Sequence, residues 1–363
     1  MYLTELENFY KDKRVLITGH TGFKGTWLVK ILKMLGADVY GYSKGVPSTP
    51  SMYELLNVDK EIHSTIGDIC DYEKLRSVFE EAQPECVLHL AAQSIVRESY
   101  RSPRETFATN VMGTVNLFEC VRNTPSVKSV LNVTTDKVYE NDDNKNHAFK
   151  EDEKLDGHDP YSNSKSCSEL ITHSYNQSFF TDNYPAVSTA RASNVIGGGD
   201  FAIDRIIPDC VRAAVKDKKI NIRNPYSIRP YQHVLEPLYV YLTIVMKQYA
   251  DSELADCYNI GPDSENCLST YQLVDLFIKY WGDELIRNDL SENNAPFEAS
   301  HLNLDCSKMK NTFNWKPVWN INEALHHTVE WYKVWNQKGN LASITEQQIK
   351  RFLDKSKYKT HNI

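Results

Sequence analysis

The run Val15-Leu16-Ile17-Thr18-Gly19-His20-Thr21-Gly22-Phe23-Lys24-Gly25 constrains the fold more than any other stretch of the chain. A short apolar strand pattern enters a turn with glycines at 19, 22 and 25. Trp27, Leu28, Ile31, Leu32 and Leu35 then recur at helical spacing. A strand that turns through glycine directly into a helix opens a dinucleotide-binding α/β unit. The glycines allow a tight turn and a close backbone approach to a pyrophosphate, and the helix N-terminus offers unpaired N–H groups to its charge. Gly19, Thr21, Gly22, Phe23 and Gly25 are the first candidate cofactor residues.

The alternation continues downstream. Strand patterns cover 38–42, 62–66, 86–90, 127–134 and 186–190, with helical patterns near 71–82 and 104–122. A long helix is expected after Asp159-Pro160, because proline suits the first helical turn. Such alternation predicts a Rossmann-type α/β fold, a doubly wound parallel sheet with helices on both faces. After Asn194 the texture changes to a Gly197-Gly198-Gly199 turn and longer irregular stretches. Residues 258–261 read as a late strand returning to the sheet, 321–336 as a helix, and the last 25 or so as polar with no assigned element. We expect a dinucleotide-binding domain over 1–193, with 232–260 returning to it, and a smaller C-terminal domain from 194–231 and 261–363.

Composition excludes some classes of partner. Lys plus Arg is 41 and Asp plus Glu is 48, a net charge of −7 with no long basic block. Nucleic acid and anionic membrane are therefore not expected as main partners. No run approaches the ~18 apolar residues of a membrane span, and the N-terminus lacks the pattern of a signal peptide. The eight cysteines form no C-x-x-C pair and no metal-ligand spacing with histidine. They read as reduced packing residues, with a cytoplasmic location and no metal expected.

Three further features carry chemistry. An NAD site usually has an acidic residue ~20 positions beyond the glycines, at the end of the second strand. Here that place reads Gly41-Tyr42-Ser43-Lys44, and Asp38 comes too early, so NAD and NADP both stay open at this position. Asp68-Ile69, after the third strand, could meet the adenine, or Asp68 could be a helix cap. Tyr161 and Lys165 stand four residues apart on one helical face, where an ammonium favours phenolate and lowers the tyrosine pKa from about 10. Thr135, Asp136 and Lys137 end the fifth strand, where open α/β sheets bind their ligands.

Together these motifs resemble the extended short-chain dehydrogenase/reductase superfamily, and within it the nucleotide-sugar dehydratases. Leu88-His89-Leu90-Ala91-Ala92-Gln93, Val133–Glu140 and Arg191–Asp200 carry the resemblance with the glycine turn and the Tyr-Lys pair, and it runs from about 10 to 336. The Gly197-Gly198-Gly199-Asp200 and Arg229-Pro230-Tyr231-Gln232-His233 segments point to the CDP-sugar branch. The resemblance implies NAD, regenerated at each turnover, a nucleotide-sugar-binding C-terminal domain, and a homodimer or dimer of dimers built on the Tyr-Lys helix. It implies cofactor contacts from Leu90, Ala91 and Ala92, and substrate contacts from Gln93, Ser94, Asn194, Arg205, Arg229 and Asn259. One departure is Ser300-His301, where the family often has a tyrosine that reaches the substrate.

The implied roles follow. Tyr161 takes the sugar 4-hydroxyl proton, Lys165 tunes it, and Thr135 binds the reacting oxygen. Lys137 removes the C5 proton, which requires an amine pKa well below ~10.4. Protonated Asp136 gives its proton to the departing 6-hydroxyl. Relatives that act on dTDP-sugars have glutamate in place of Lys137. A 4-epimerase or a 4-dehydrogenase would also need Tyr161, Lys165 and NAD, but not the Asp136-Lys137 pair. A non-catalytic dinucleotide sensor is the alternative of another class, and such proteins often lose the tyrosine or the lysine.

Overall fold

The strands are, in chain order, β1 (Arg14–Thr18), β2 (Asp38–Ser43), β3 (His63–Ile66), β4 (Cys86–His89), β5 (Ser129–Val133), β6 (Ala186–Ala192), β7 (Asn194–Ile196), β8 (Lys219–Ile222), β9 (Ile228–His233), β10 (Cys257–Ile260), β11 (Cys267–Ser269) and β12 (Ile286–Asp289). This computed structural model describes residues 2–142, 147–180, 185–216, 219–282, 285–290 and 302–359. Seven strands form the main sheet in the order β10-β6-β5-β4-β1-β2-β3, every pair parallel. Every residue of β4, β5 and β6 is buried. Both faces of these strands are covered by helices, which is why they read as near-continuous runs rather than alternating ones. Chain order reverses between β1 and β4, so a crevice opens beyond their carboxyl ends.

Ser193 alone separates β6 from β7, the edge of a three-stranded sheet ordered β11-β9-β7. A parallel pair, β8 with β12, completes the second layer. The strand expected to return from 258 is β10, paired with β6. The helix from Pro160 to Ser178 begins as expected, with the Asp159 carboxylate accepting from the Ser162 N–H at 3.0 Å. Among the described residues, no helix is long and apolar enough to cross a membrane.

Two expectations differ from the structure. The single helix expected over 104–122 is Pro103–Phe107, a π turn over Ala108–Met112 and Gly113–Arg122. The wider turn carries Asn110, whose buried amide donates to the Gln93 carbonyl and the Ser164 hydroxyl. The polar C-terminus is helical over Leu341–Lys359 and buries Ile344, Ile349, Phe352 and Leu353. These buried positions, scattered among charged and polar residues, give too thin a stripe to read as a helix.

Candidate active site

The glycine turn leaves β1 at the centre of the sheet. Gly19 takes φ +81°, and a Cβ built there would lie 2.7 Å from the Ala91 nitrogen. At Gly25 a Cβ would lie 2.1 Å from the Gly19 carbonyl oxygen. Both positions therefore need glycine for the turn to close against the end of β4. The Leu90 N–H donates to the Thr18 carbonyl at 3.0 Å and the Ala91 N–H to the Thr18 hydroxyl at 3.3 Å. The helix Phe23–Met34 then starts at Gly22 with no side chain capping its first turn. These open N–H groups, and the missing side chains at Gly19, Gly22 and Gly25, suit a pyrophosphate.

Asp68 pairs with Lys44 at 3.1 Å and accepts from the Cys70 N–H at 2.9 Å. The helix cap in this region is Asp71, not Asp68, and Asp38 is spent on His63. Ile69 is buried.

A cavity of about 320 Å³ lies beyond β5 and β6, between the two layers. Thr135, Asp136, Lys137, Tyr161, Ser94, Asn194, Arg205 and Arg229 all line it. Sequence reasoning missed Lys24, Arg97, Asp204 and Arg223, which line it too. Lys24 was visible inside the glycine turn as the second helical residue, whereas nothing in the sequence marks Arg97, Asp204 or Arg223. Arg205 bridges the layers, donating to Asp200 at 3.1 Å and to the Ser94 hydroxyl at 3.2 Å. Six basic residues, Lys24, Arg97, Lys137, Arg205, Arg223 and Arg229, thus face four aspartates in the cavity wall of a chain of net charge −7.

Two of the expected substrate contacts lie elsewhere. Asn259 is fully buried: it accepts from the Tyr139 hydroxyl at 2.6 Å and donates to the carbonyls of Phe149 and Asp305. Register puts it opposite Arg191, which donates to that same Tyr139 hydroxyl, so the amide is drawn into this buried network. Gln93 folds back on its own loop, with its amide on Ile95 and Thr106. Neither lines the cavity. Ser300-His301 fall outside the described residues.

Burial pushes the Tyr161 phenol up to about 12, with the Thr135 hydroxyl pulling the other way. The Lys165 ammonium turns to the Val133 carbonyl, donating at 3.0 Å. Burial also brings Lys165 down to about 8, opposed by Glu169 one turn further along the helix. Asp136 is buried and its carboxyl is raised above the ordinary range by burial, while Lys137, Thr135, Arg229 and Lys24 pull it down. The Thr135 hydroxyl donates to Asp136 Oδ1 at 3.0 Å. Oδ2 is buried with no hydrogen-bond partner among the described residues. A carboxyl held toward its neutral form beside a phenol–amine pair is suited to donating a proton.

The sequence profile described as GDP-mannose 4,6 dehydratase matches residues 16–328. CDP-glucose 4,6-dehydratase of Salmonella typhimurium is 42% identical over 96% of this chain and 98% of its own length. The chain belongs to the nucleotide-sugar 4,6-dehydratases. Within this family, the dTDP-glucose 4,6-dehydratase of Haemophilus influenzae is more distant, 26% identical over 88% of this chain and 97% of its own length. The fold is shared with the dTDP-glucose 4,6-dehydratase of Bacillus anthracis, solved in complex with NAD. That structure has a TM-score of 0.75 and 23% identity, covering 90% of this chain and 98% of that one. A UDP-glucose 4-epimerase of Thermotoga maritima, solved with UDP-glucose, has the same TM-score of 0.75, so the fold alone does not separate dehydratase from epimerase.

Proposed function

We propose that the protein dehydrates CDP-D-glucose to CDP-4-keto-6-deoxy-D-glucose, with NAD bound at the glycine turn. The observation that carries this reading is Asp136, a buried carboxyl raised toward its neutral form, lining one cavity with Thr135, Lys137 and Tyr161. An epimerase or a 4-dehydrogenase has no need of a proton donor there. The 42% identity to a CDP-glucose dehydratase supports the choice of base.

The residues present fit the cofactor. Gly19, Gly22 and Gly25 put no side chain of their own into the turn, and the backbone at Thr21 and Phe23 and the Leu90–Ala92 loop flank it. Asp68 and Ile69 stand beyond β3 for the adenosine. Bound there, NAD would supply reversible hydride chemistry beside the sugar and a positive charge near the phenol.

The chain's own groups then divide the proton transfers. Tyr161 takes the 4-hydroxyl proton, and Thr135 holds that oxygen by a hydrogen bond. Lys165 supplies the buried positive charge behind Tyr161. The C4 ketone acidifies C5, whose proton passes to Lys137. Asp136 gives its proton to the 6-oxygen as the C6–O bond breaks, releasing water. Asn194, Arg205 and Arg229 hold the diphosphate, a task for which planar guanidinium donors are well shaped. Exposed Met112, at the end of the π turn, and Leu170, on the Tyr-Lys helix itself, support a homodimer packed through this face. The same reading places the enzyme in the cytoplasm.

The test is incubation with CDP-, dTDP-, GDP- and UDP-glucose, followed by mass spectrometry. Loss of water from CDP-glucose without net consumption of added NAD is expected. Stoichiometric reduction of NAD with the product keeping its water would replace this reading with a dehydrogenase.

A further inference from the structure

Lys24 is the one cavity residue contributed by the glycine turn itself that carries a charge. It is the second residue of the helix Phe23–Met34 and is partly buried. Its side chain reaches the cavity that holds Thr135, Asp136 and Tyr161. It forms no ion pair with a described residue. In the same cavity, Asp136 Oδ2 is buried without a hydrogen-bond partner among the described residues. The cavity therefore holds an uncommitted ammonium and an unsatisfied carboxyl oxygen.

We propose that Lys24 is a positioning residue for the elimination half of the reaction, its ammonium serving as counter-charge to the carboxylate that forms on Asp136. The inference rests on the reading of Asp136 as the acid. In the step concerned, the Asp136 O–H bond breaks and its proton goes to the sugar 6-oxygen. The C6–O bond breaks with its electron pair on that oxygen, and the pair left at C5 closes the C5=C6 double bond. Water departs, and a new negative charge is left on a fully buried side chain. An unpaired buried carboxylate is costly, so a cation already in place lowers the barrier to forming it.

Three cations act on Asp136: Lys137 from its own loop, Arg229 from β9 and Lys24 from the glycine-turn helix. Lys137 is engaged with C5, whose proton it takes. Arg229 donates to the Ile228 carbonyl at 3.1 Å and belongs to the phosphate wall. Lys24 has neither commitment. Burial lowers its own pKa to about 8, with Arg205 adding to the shift and Asp136 opposing it, and at neutral pH it stays charged.

The test compares Lys24→Met, Lys24→Arg, Asp136→Asn and Lys24→Met/Asp136→Asn with wild type, each first checked for NAD binding by calorimetry. Lys24→Met is expected to bind NAD normally and keep KM for CDP-glucose within a few-fold. Its kcat falls about 100-fold, the effect of removing one preorganised charge. In a single turnover it accumulates bound reduced nicotinamide, read by absorbance, because C4 oxidation still proceeds. Lys24→Arg recovers most of the rate. The double variant is no slower than Asp136→Asn, since no carboxylate forms in either. A wild-type kcat in Lys24→Met, a loss confined to KM, or a slow variant with no reduced nicotinamide overturns the proposal. If Asp136→Asn itself turns over at the wild-type rate, the acid assignment fails first, and that outcome is distinct from any shown by Lys24→Met alone.

Discussion

The Arg191 guanidinium donates to the Glu169 carboxylate at 2.9 Å, with both side chains almost wholly buried. Glu169 stands one turn beyond Lys165 on the same helix and also accepts from the Thr134 and Thr189 hydroxyls. Arg191 in turn holds the Tyr139 hydroxyl at 2.9 Å. The pair thus locks the Tyr-Lys helix to β6, directly behind the proposed catalytic dyad.

Breaking a buried pair from one side leaves an uncompensated charge, and the loss is typically about 3–5 kcal/mol. Arg191→Met is therefore expected to lower stability by about that much, measured by urea unfolding. Arg191→Met/Glu169→Gln should recover part of the loss, because a neutral amide replaces the stranded carboxylate. Equal midpoints for the single and double variants would show that packing, not charge, holds this junction.

Tyr161→Phe keeps the ring in its buried place and removes only the oxygen. Turnover is expected to fall by ~10²–10⁴, the usual contribution of a positioned proton-transfer group. Binding of CDP-glucose, followed by calorimetry, should stay within a few-fold. A rate near wild type would take Tyr161 out of the catalytic set.

Asp136→Asn and Lys137→Ala should each stop the reaction after C4 oxidation. The amide cannot donate a proton as the acid does, and without the amine C5 keeps its own. Both variants mixed with CDP-glucose are expected to build bound reduced nicotinamide, seen by absorbance, while wild type shows little. Wild-type dehydration rates in both would make these two residues structural. Absence of both turnover and reduced nicotinamide would move their role to binding or to the first hydride step.

The chemistry at the strand ends was legible because it is local. A glycine turn, a Tyr-x-x-x-Lys spacing and a Thr-Asp-Lys tripeptide each declare themselves within seven residues. The parallel sheet was legible for the same reason, since each strand and helix carries its own period. What the sequence hid depends on register and on distant partners. Asn259 looked like a ligand at a strand end, but its alignment with Arg191 commits it to the Tyr139 network. Arg223 lines the cavity beside Asp204, its ion-pair partner nineteen positions away, and no local pattern announces that pairing. Spacing likewise says nothing about where an ammonium points, and Lys165 points at the Val133 carbonyl.

The C-terminal helix, also hidden from the sequence, supplies a pH-dependent contact. Glu330 accepts from Arg351 at 3.0 Å and from Gln348 at 3.1 Å, both on the helix Leu341–Lys359, and it faces His327 on its own helix. The hydrogen bond with His327 lowers the Glu330 pKa to about 2, against burial and with further help from Arg351 and Gln348. An unfolded glutamate titrates near ~4.3. The folded pKa is the lower one, so the carboxylate stabilises the fold fully above the unfolded value, and this stability is lost as pH falls from ~4.3 toward 2. Wild type should therefore exceed Glu330→Gln in stability at pH 6 by on the order of 1 kcal/mol, allowing for solvent screening of a partly exposed group. That advantage should shrink in urea unfolding at pH ~3, where the unfolded chain already holds the proton. Other carboxylates titrate in both proteins and cancel in the comparison. A difference that is the same at both pH values would mean that Glu330 secures the C-terminal helix by shape rather than by its charge.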